Sequence, residues 1–277
     1  MAKWTAFPHD AAAYTYDAAA LKQHWARLHA GDAEPVPKDA AVLAAWALFH
    51  AGEFQKACDA GLKAGGAGIT VANKAQAIYA NYLEKSEKTK LAMFLEVAER
   101  AETQQAAEPK NANAFYWQAY ALGRYSQGIS VAKALAQGLG SKVKTALETA
   151  IRLAPQHADA HIALGAFHAE VIDKVGKLLG KTQGADTATG LKMAMAGKIA
   201  ISLDGLPVNF AERFYYKGCM FSNVPNLSVV FGYLNASWTL RADIDAEYVC
   251  KVLNTMQAKG ADVAVPVLAA DHKLVED

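Results

Sequence analysis

Along roughly the first two thirds of the chain, large apolar residues recur at steps of three and four, the spacing of one helical face. From Ala41 to Leu62 this run contains Trp46, Leu48 and Phe49. A Gly52-Glu53-Phe54 turn interrupts it, and a second helix follows with Ala57 facing inward, so two antiparallel helices are predicted to meet on small residues. A further pair is predicted over Val71 to Leu83 and Thr89 to Ala107, with Glu96, Glu99, Arg100 and Glu102 marking the solvated face of the second. The helix with Trp117, Tyr120 and Gly123 should pair with the one holding Ala146 and Ala150. Between them, Gly123 to Ser141 predicts a short helix, Ile129 to Gln137, between glycine joints. In Ala146 to Pro155 an apolar stripe ends at a proline, whose ring clashes with the preceding turn and which donates no N–H, so the chain should reverse there into a helix from His157 to Glu170.

The texture changes near residue 198. Alanine thins out, and β-branched and aromatic residues rise. Strands are predicted at Ile199 to Leu203, closed by an Asp204-Gly205 turn that tolerates positive φ, and at Phe214 to Tyr216 and Leu227 to Tyr233. Ala242 to Met256 reads as an amphipathic helix with Ile244, Tyr248, Val249, Val252 and Leu253 on one face. The expected fold is mainly α: a tetratricopeptide-like helical-hairpin solenoid over 1–197 with a small C-terminal α+β appendage over 198–277.

At 277 residues with 53% hydrophobic and 20% charged content, the chain is long and apolar enough to fold around a sizeable core. Its net charge of +1 gives no electrostatic support to nucleic-acid or anionic-membrane binding. No window approaches the roughly 18 apolar residues of a membrane span, and Met1 to Asp10 lacks the apolar run of a secretory signal. Cys58, Cys219 and Cys250 are odd in number and widely spaced, which suits reduced, buried thiols and a cytoplasmic protein.

The run Asn113 to Gly190 resembles tetratricopeptide-like proteins of the TRAP-transporter-associated T-component type. The carrying residues are Asn113-Ala114-Phe115-Tyr116-Trp117, Gly123-Arg124, the 146–155 run and the His157-to-Glu170 helix. Eukaryotic regulators of microtubule dynamics share a similar helical layout. The likeness, over about residues 40 to 200, implies a right-handed stack with a concave surface or central cavity used for binding. The T-component is an exported lipoprotein. This chain shows neither that signal nor a lipidated cysteine, so the expectation is a cytoplasmic relative.

Residues 198 to 260 resemble the C-terminal end of class B flavin monooxygenases of the Baeyer–Villiger type. The matching residues are Tyr216-Lys217-Gly218, Met220, Val224-Pro225-Asn226-Leu227, Gly232-Tyr233 and Asn235-Ala236-Ser237-Trp238-Thr239-Leu240. In that family the stretch supplies a late strand of the FAD domain and the following helix. That implies cofactor contacts at Asn235, Ser237, Trp238 and Thr239, with Leu234 standing where threonine is usual. No GxGxxG follows a strand upstream, so nothing in the chain is expected to cradle a dinucleotide pyrophosphate.

No residue pattern signals catalysis. His157, His161 and His168 fall near one line on a helix, and an HxxxH pair can bind zinc, but such histidines equally serve as hydrogen-bonded helix residues, and no metal is expected. Glu170 and Asp173 read as solvated acids, and Trp46 and Tyr116 as core. Candidate ligand contacts are Trp117, Tyr120, Arg124, Tyr125, His161 and His168, where rings and a forked guanidinium offer recognition without chemistry. The expected function is non-enzymatic binding or scaffolding of a protein, peptide or small ligand, with homo-oligomerisation allowed and no cofactor. The alternative is a flavin-dependent monooxygenase fragment, with FAD supplied through a complementary FAD-binding chain.

Overall fold

The structure is a computed structural model. It describes residues 3–182, 184, 185, 201–210, 213–217, 219–229 and 238–267, with the side chains of 172–179, 182, 215 and 238–243 excepted. The chain is mainly helical and divides into two compact units, Met1–Gly197 and Lys198–Asp277.

In the first unit α1 (Ala18–Leu28), α2 (Ala40–His50), α3 (Phe54–Ala64), α4 (Gly68–Tyr82), α5 (Glu87–Ala107) and α6 (Ala112–Gln127) follow one another. After a short α7 (Val131–Ala136) come α8 (Leu139–Leu153) and α9 (Ala158–Thr182). From α2 onward, apart from α7, each helix packs mainly on the next, and α2, α4, α6 and α9 also touch in sequence as one layer, with α3, α5 and α8 behind them. This is the antiparallel hairpin stack that the alternation of apolar stripes and breakers predicts. Side-chain caps start several helices: Asp17, Asp39, Ser86, Asn111 and Ser130 accept from free first-turn N–H groups.

Helix α1, capped by Asp17 and buried through Leu21 and Trp25, is an element beyond those predicted; its 21-25-28 spacing of Leu, Trp and Leu was the available signal. The Gly52 turn and the Pro155 reversal occur as expected, and α6 packs on α8. Helices α3 and α4 approach backbone to backbone: a Cβ on Gly61 would lie 2.4 Å from Gly68 O, and one on Gly68 2.6 Å from Gly61 O. Two apolar clusters form the interior, one from α1 to α4 around Leu21, Trp25, Trp46 and Val71, the other from α4 to α9 around Phe94, Val97, Trp117, Leu147 and Leu164.

In the second unit β1 (Ser202–Leu203) pairs with β2 (Leu206–Pro207) through a turn in which Asp204 and Gly205 both take positive φ, 53° and 80°. β3 (Tyr215–Tyr216) pairs with β4 (Met220–Phe221), again antiparallel. Of the strand expected at Leu227 to Tyr233, residues 227–229 are described and contribute one bridge, Met220 to Ser228, and the rest lies outside the described residues. The segment 262–266 runs alongside, with Asn223 N–H donating to Pro266 O and Asn226 N–H to Ala264 O. Cys219, Met220, Phe221 and Val224 are buried there. The last helix, α10 (Trp238–Lys259), begins before and ends after the predicted span. Its expected apolar face is only partly covered: Ile244 and Leu253 are exposed, and Asp245 is the residue that turns inward.

Candidate functional site

The densest group of titratable side chains lies inside the first unit, where the loop following α1 meets α4, α6 and the start of α9. Tight packing of Ala-rich helices leaves little room for polar atoms, so those that enter must bond one another. His29 lies 3.0 Å from Asp32 through Nδ1 and 3.3 Å from His50 Nε2 through its other nitrogen. With Nδ1–H given to the carboxylate, neutral His29 accepts from His50. Lys74 of α4 donates to the other Asp32 oxygen. Its ammonium lies 5.3 Å from the ring centre of Trp46, 5.2 Å from that of Phe49 and 6.0 Å from that of Trp117, within cation–π range of three rings. His29 is stacked on Trp25 with ring centres 4.1 Å apart.

Asn113 of α6 continues the network. Its Nδ2 donates to Glu34 Oε2 at 2.6 Å and to the Asp32 carbonyl at 3.0 Å. Its Oδ1 accepts from His157 Nε2 at 3.0 Å, while His157 Nδ1 caps α9 by accepting from Ala160 N–H. Trp25 Nε1 donates to Glu34 O, and Asp159 N–H donates to Gly31 O. The loop is therefore held from three helices at once.

The electrostatics follow from this wiring. Burial pushes Asp32 up, but the hydrogen bond from His29 and the ammonium of Lys74 outweigh it and hold the carboxyl well below the usual range. Burial, and then the Asp32 charge, push Glu34 up to about 8, so it is protonated at neutral pH. Burial lowers His29, and lowers His157 and His50 to about 4 each. One carboxylate, one ammonium, neutral imidazoles and a neutral carboxylic acid leave the cluster without net charge.

A pH profile of stability follows. Between about 4 and the ordinary value of 6.5, unfolded His50 and His157 take up protons that the folded state refuses, so stability rises with pH. Between the ordinary 4.5 and about 8, folded Glu34 keeps a proton that the unfolded chain has lost, so stability falls as pH rises. Two histidines outweigh one glutamate below 6.5, and Glu34 acts alone above it. Melting temperature is expected to peak near pH 6.5, and Glu34→Gln to flatten the alkaline limb up to pH 8 and to steepen the rise between 4.5 and 6.5. A monotonic profile in thermal melts would refute this assignment.

A second polar group lies between α4 and α5. Arg100, expected on the solvated face, instead turns inward and donates to Asn73 Oδ1 at 2.7 Å and Gln76 Oε1 at 2.9 Å. Gln104 donates to Thr70 and Glu108. The cleft beside it, about 230 Å³, is lined by Gly66, Ile69, Arg100, Thr103, Gln104 and Glu108, among others.

The residues singled out in the sequence are scattered. Trp117 is buried and faces Lys74; Tyr125 is buried in the α6–α8 core. Arg124 lies over the Tyr120 ring at 5.4 Å and donates to Gln127, which donates to Glu170. His161 bonds the Pro155 carbonyl and His168 is buried, so the three histidines do not converge. No group of three metal-ligating side chains occurs among the described residues. Cys58 and Cys219 are buried thiols, whereas Cys250, expected buried, is exposed on α10. Trp238 and Thr239 open α10; Asn235 and Ser237 lie outside the described residues, as does the Asp173 side chain. Sequence reading missed His29, Asp32, Glu34, Lys74 and Asn113. For Lys74 and Asn113 the available signal was a polar residue on an alanine-rich helix, whereas His29, Asp32 and Glu34 sit at the end of α1 and in the loop after it.

Comparison with known proteins adds two likenesses. Residues 69–174 match the family model of regulator of microtubule dynamics protein 1-3. The T-component resemblance finds no support among these matches. Part of the chain is similar to FAD-dependent monooxygenases. It is 42% identical over 90 residues to the probable FAD-binding monooxygenase AlmA of Acinetobacter baylyi, covering 31% of this chain and 18% of that protein. It is 48% identical over 80 residues to the FAD-containing monooxygenase EthA of Mycolicibacterium smegmatis, covering 29% and 16%. It is 44% identical over 88 residues to the putative FAD-containing monooxygenase MymA of Mycobacterium tuberculosis, covering 32% and 18%. The chain thus spans less than a fifth of the length of these relatives. No solved structure was found to match it. Every described strand pair is antiparallel, and no βα turn of the kind on which a dinucleotide pyrophosphate sits occurs among the described residues. No helix among the described residues is long and apolar enough to cross a membrane.

Proposed function

We propose that the chain is a non-enzymatic binding or scaffold protein, in which a helical-hairpin domain over 1–197 holds a protein or peptide segment. In this reading residues 198–277 are a monooxygenase-related appendage without a nucleotide-binding core. The observation that carries the reading is the self-contained wiring of the charged interior. Asp32 is answered by Lys74 and His29, Glu34 by Asn113, and His157 by Asn113 and the start of α9. Groups so paired fix shape, and solenoids of this kind act by displaying side chains on their surfaces. The resemblance to the microtubule-dynamics regulators over α4 to α9 supports the same reading. Trp117, Tyr120, Arg124, Tyr125, His161 and His168 remain the proposed recognition residues.

A second reading rests on the identity of 42 to 48% to FAD-dependent monooxygenases. There residues 198–260 complement a separate FAD-binding chain, with Asn235, Ser237, Trp238 and Thr239 toward the flavin. Purified protein is to be incubated with excess FAD, desalted, and its visible absorbance recorded. The binding-module reading expects no retained flavin band. A band near one flavin per chain would overturn it and establish a cofactor site.

A further inference from the structure

The segment 3–10 has no helix or strand and, apart from half-buried Trp4, is exposed, yet residues of α3, α4 and the turn before α3 hold it. The main-chain N–H groups of two successive residues are taken by side chains from two different helices. Trp4 N–H donates to Gln55 Oε1 at 3.0 Å and Thr5 N–H to the Tyr79 hydroxyl at 3.0 Å. The Trp4 ring is stacked on Tyr79, with centres 4.4 Å apart and planes 16° apart. Three residues on, Phe7 meets Phe54 edge to face at 5.7 Å. Gly52 makes room for that ring, because a Cβ there would lie 2.6 Å from Phe7 Cδ1. Tyr79 is almost wholly buried, and its hydroxyl also reaches Glu84.

Such a contact has the two parts of peptide recognition: side chains gripping the backbone irrespective of sequence, and ring pockets at fixed spacing that select side chains. We propose that the groove of Gly52, Phe54, Gln55 and Tyr79 is a docking site for an extended partner peptide carrying two aromatic residues three positions apart. In the free chain Lys3–Phe7 occupies it as a tethered competitor. The partner chemistry is read from the seated segment itself. The inference rests on the binding-module reading and specifies its partner. A tethered segment that is docked nine-tenths of the time lowers the apparent affinity of a free peptide about tenfold.

The test uses the full chain and a fluorescent peptide with the sequence of residues 3–10, followed by anisotropy. The peptide is expected to bind W4A/F7A protein at least about tenfold more tightly than the unmodified chain. Adding Gln55→Ala should weaken it, and a peptide with alanine at both aromatic positions should not bind. Thr5→Pro in the chain removes one of the gripped N–H groups at an exposed position and leaves the groove intact. It should also raise peptide affinity, which keeps the test valid if the double variant loses its helical circular dichroism. Absence of saturable binding to folded variants, or equal affinity for variant and unmodified protein, would overturn the proposal. Flavin retention on the same preparations decides the parent reading separately.

Discussion

Asp32→Ala is expected to destabilise the first unit by about 3–5 kcal/mol, the cost of removing one partner from a buried ion pair. Asp32 is 2% exposed and accepts from both His29 and Lys74. Without it the ammonium remains among Trp46, Phe49 and Trp117, whose faces attract a cation but cannot neutralise it. Cation–π attraction of up to about 2 kcal/mol does not replace a carboxylate. The neighbouring Glu34 does not step in without cost, because it is held protonated by burial. Lys74→Met gives the complementary single variant. The double variant D32A/K74M removes both charges together and should cost less than the sum of the singles, since an ion pair replaced as a pair is often nearly neutral. Urea unfolding of all four proteins measures the coupling; additive losses would show that the pair does not act as one.

Trp46→Ala should cost a similar amount, about 3–5 kcal/mol. Trp46 is fully buried and edge-to-face with Trp25 at 5.9 Å, with His29 at 4.6 Å and with Phe49 at 5.5 Å. Truncation leaves a void between α1 and α2 and removes one wall around Lys74. Its indole N–H finds no acceptor among the described residues, so Trp46→Phe gives up no hydrogen bond while keeping a ring face. The phenylalanine variant is therefore expected to retain most of the stability in thermal melts. Equal losses in the two variants would mean that shape, rather than the presence of a ring, decides the site.

What sequence made legible was local. The Gly52 turn, the proline-terminated helix at Leu153 and the Asp204-Gly205 hairpin depend on a few adjacent residues whose backbone preferences admit one outcome. Most helices of the first unit were readable because each buries an apolar stripe of its own, though α7 buries no residue and α1 was not predicted. The central network was not, because its members come from segments far apart: His29 to Glu34, Lys74, Asn113 and His157. Lys74 and Asn113 alone look like polar residues on alanine-rich helices, and His29 to Glu34 and His157 like ordinary loop residues. His157 was noticed, but for its register with His161 and His168. The structure spends both its ring nitrogens on Asn113 and the α9 terminus instead. Arg100 misled for a related reason. A pattern of acids around it implied water, while the acceptors that draw it inward, Asn73 and Gln76, sit on another helix.

The loop between α1 and α2 also bears on the order in which the chain assembles. A stack of hairpins is held by neighbours, so its parts can form one after another and come apart the same way. The Asn113 bonds to Asp32 and Glu34 join positions 81 and 79 residues apart, and Asp159 reaches back to Gly31. Contacts of such separation form only after the intervening helices are in place, because closing the loop costs entropy before it returns any bond. They act as a final clasp, tying the first helix to the last hairpin and turning a row of independently fraying repeats into one cooperative body.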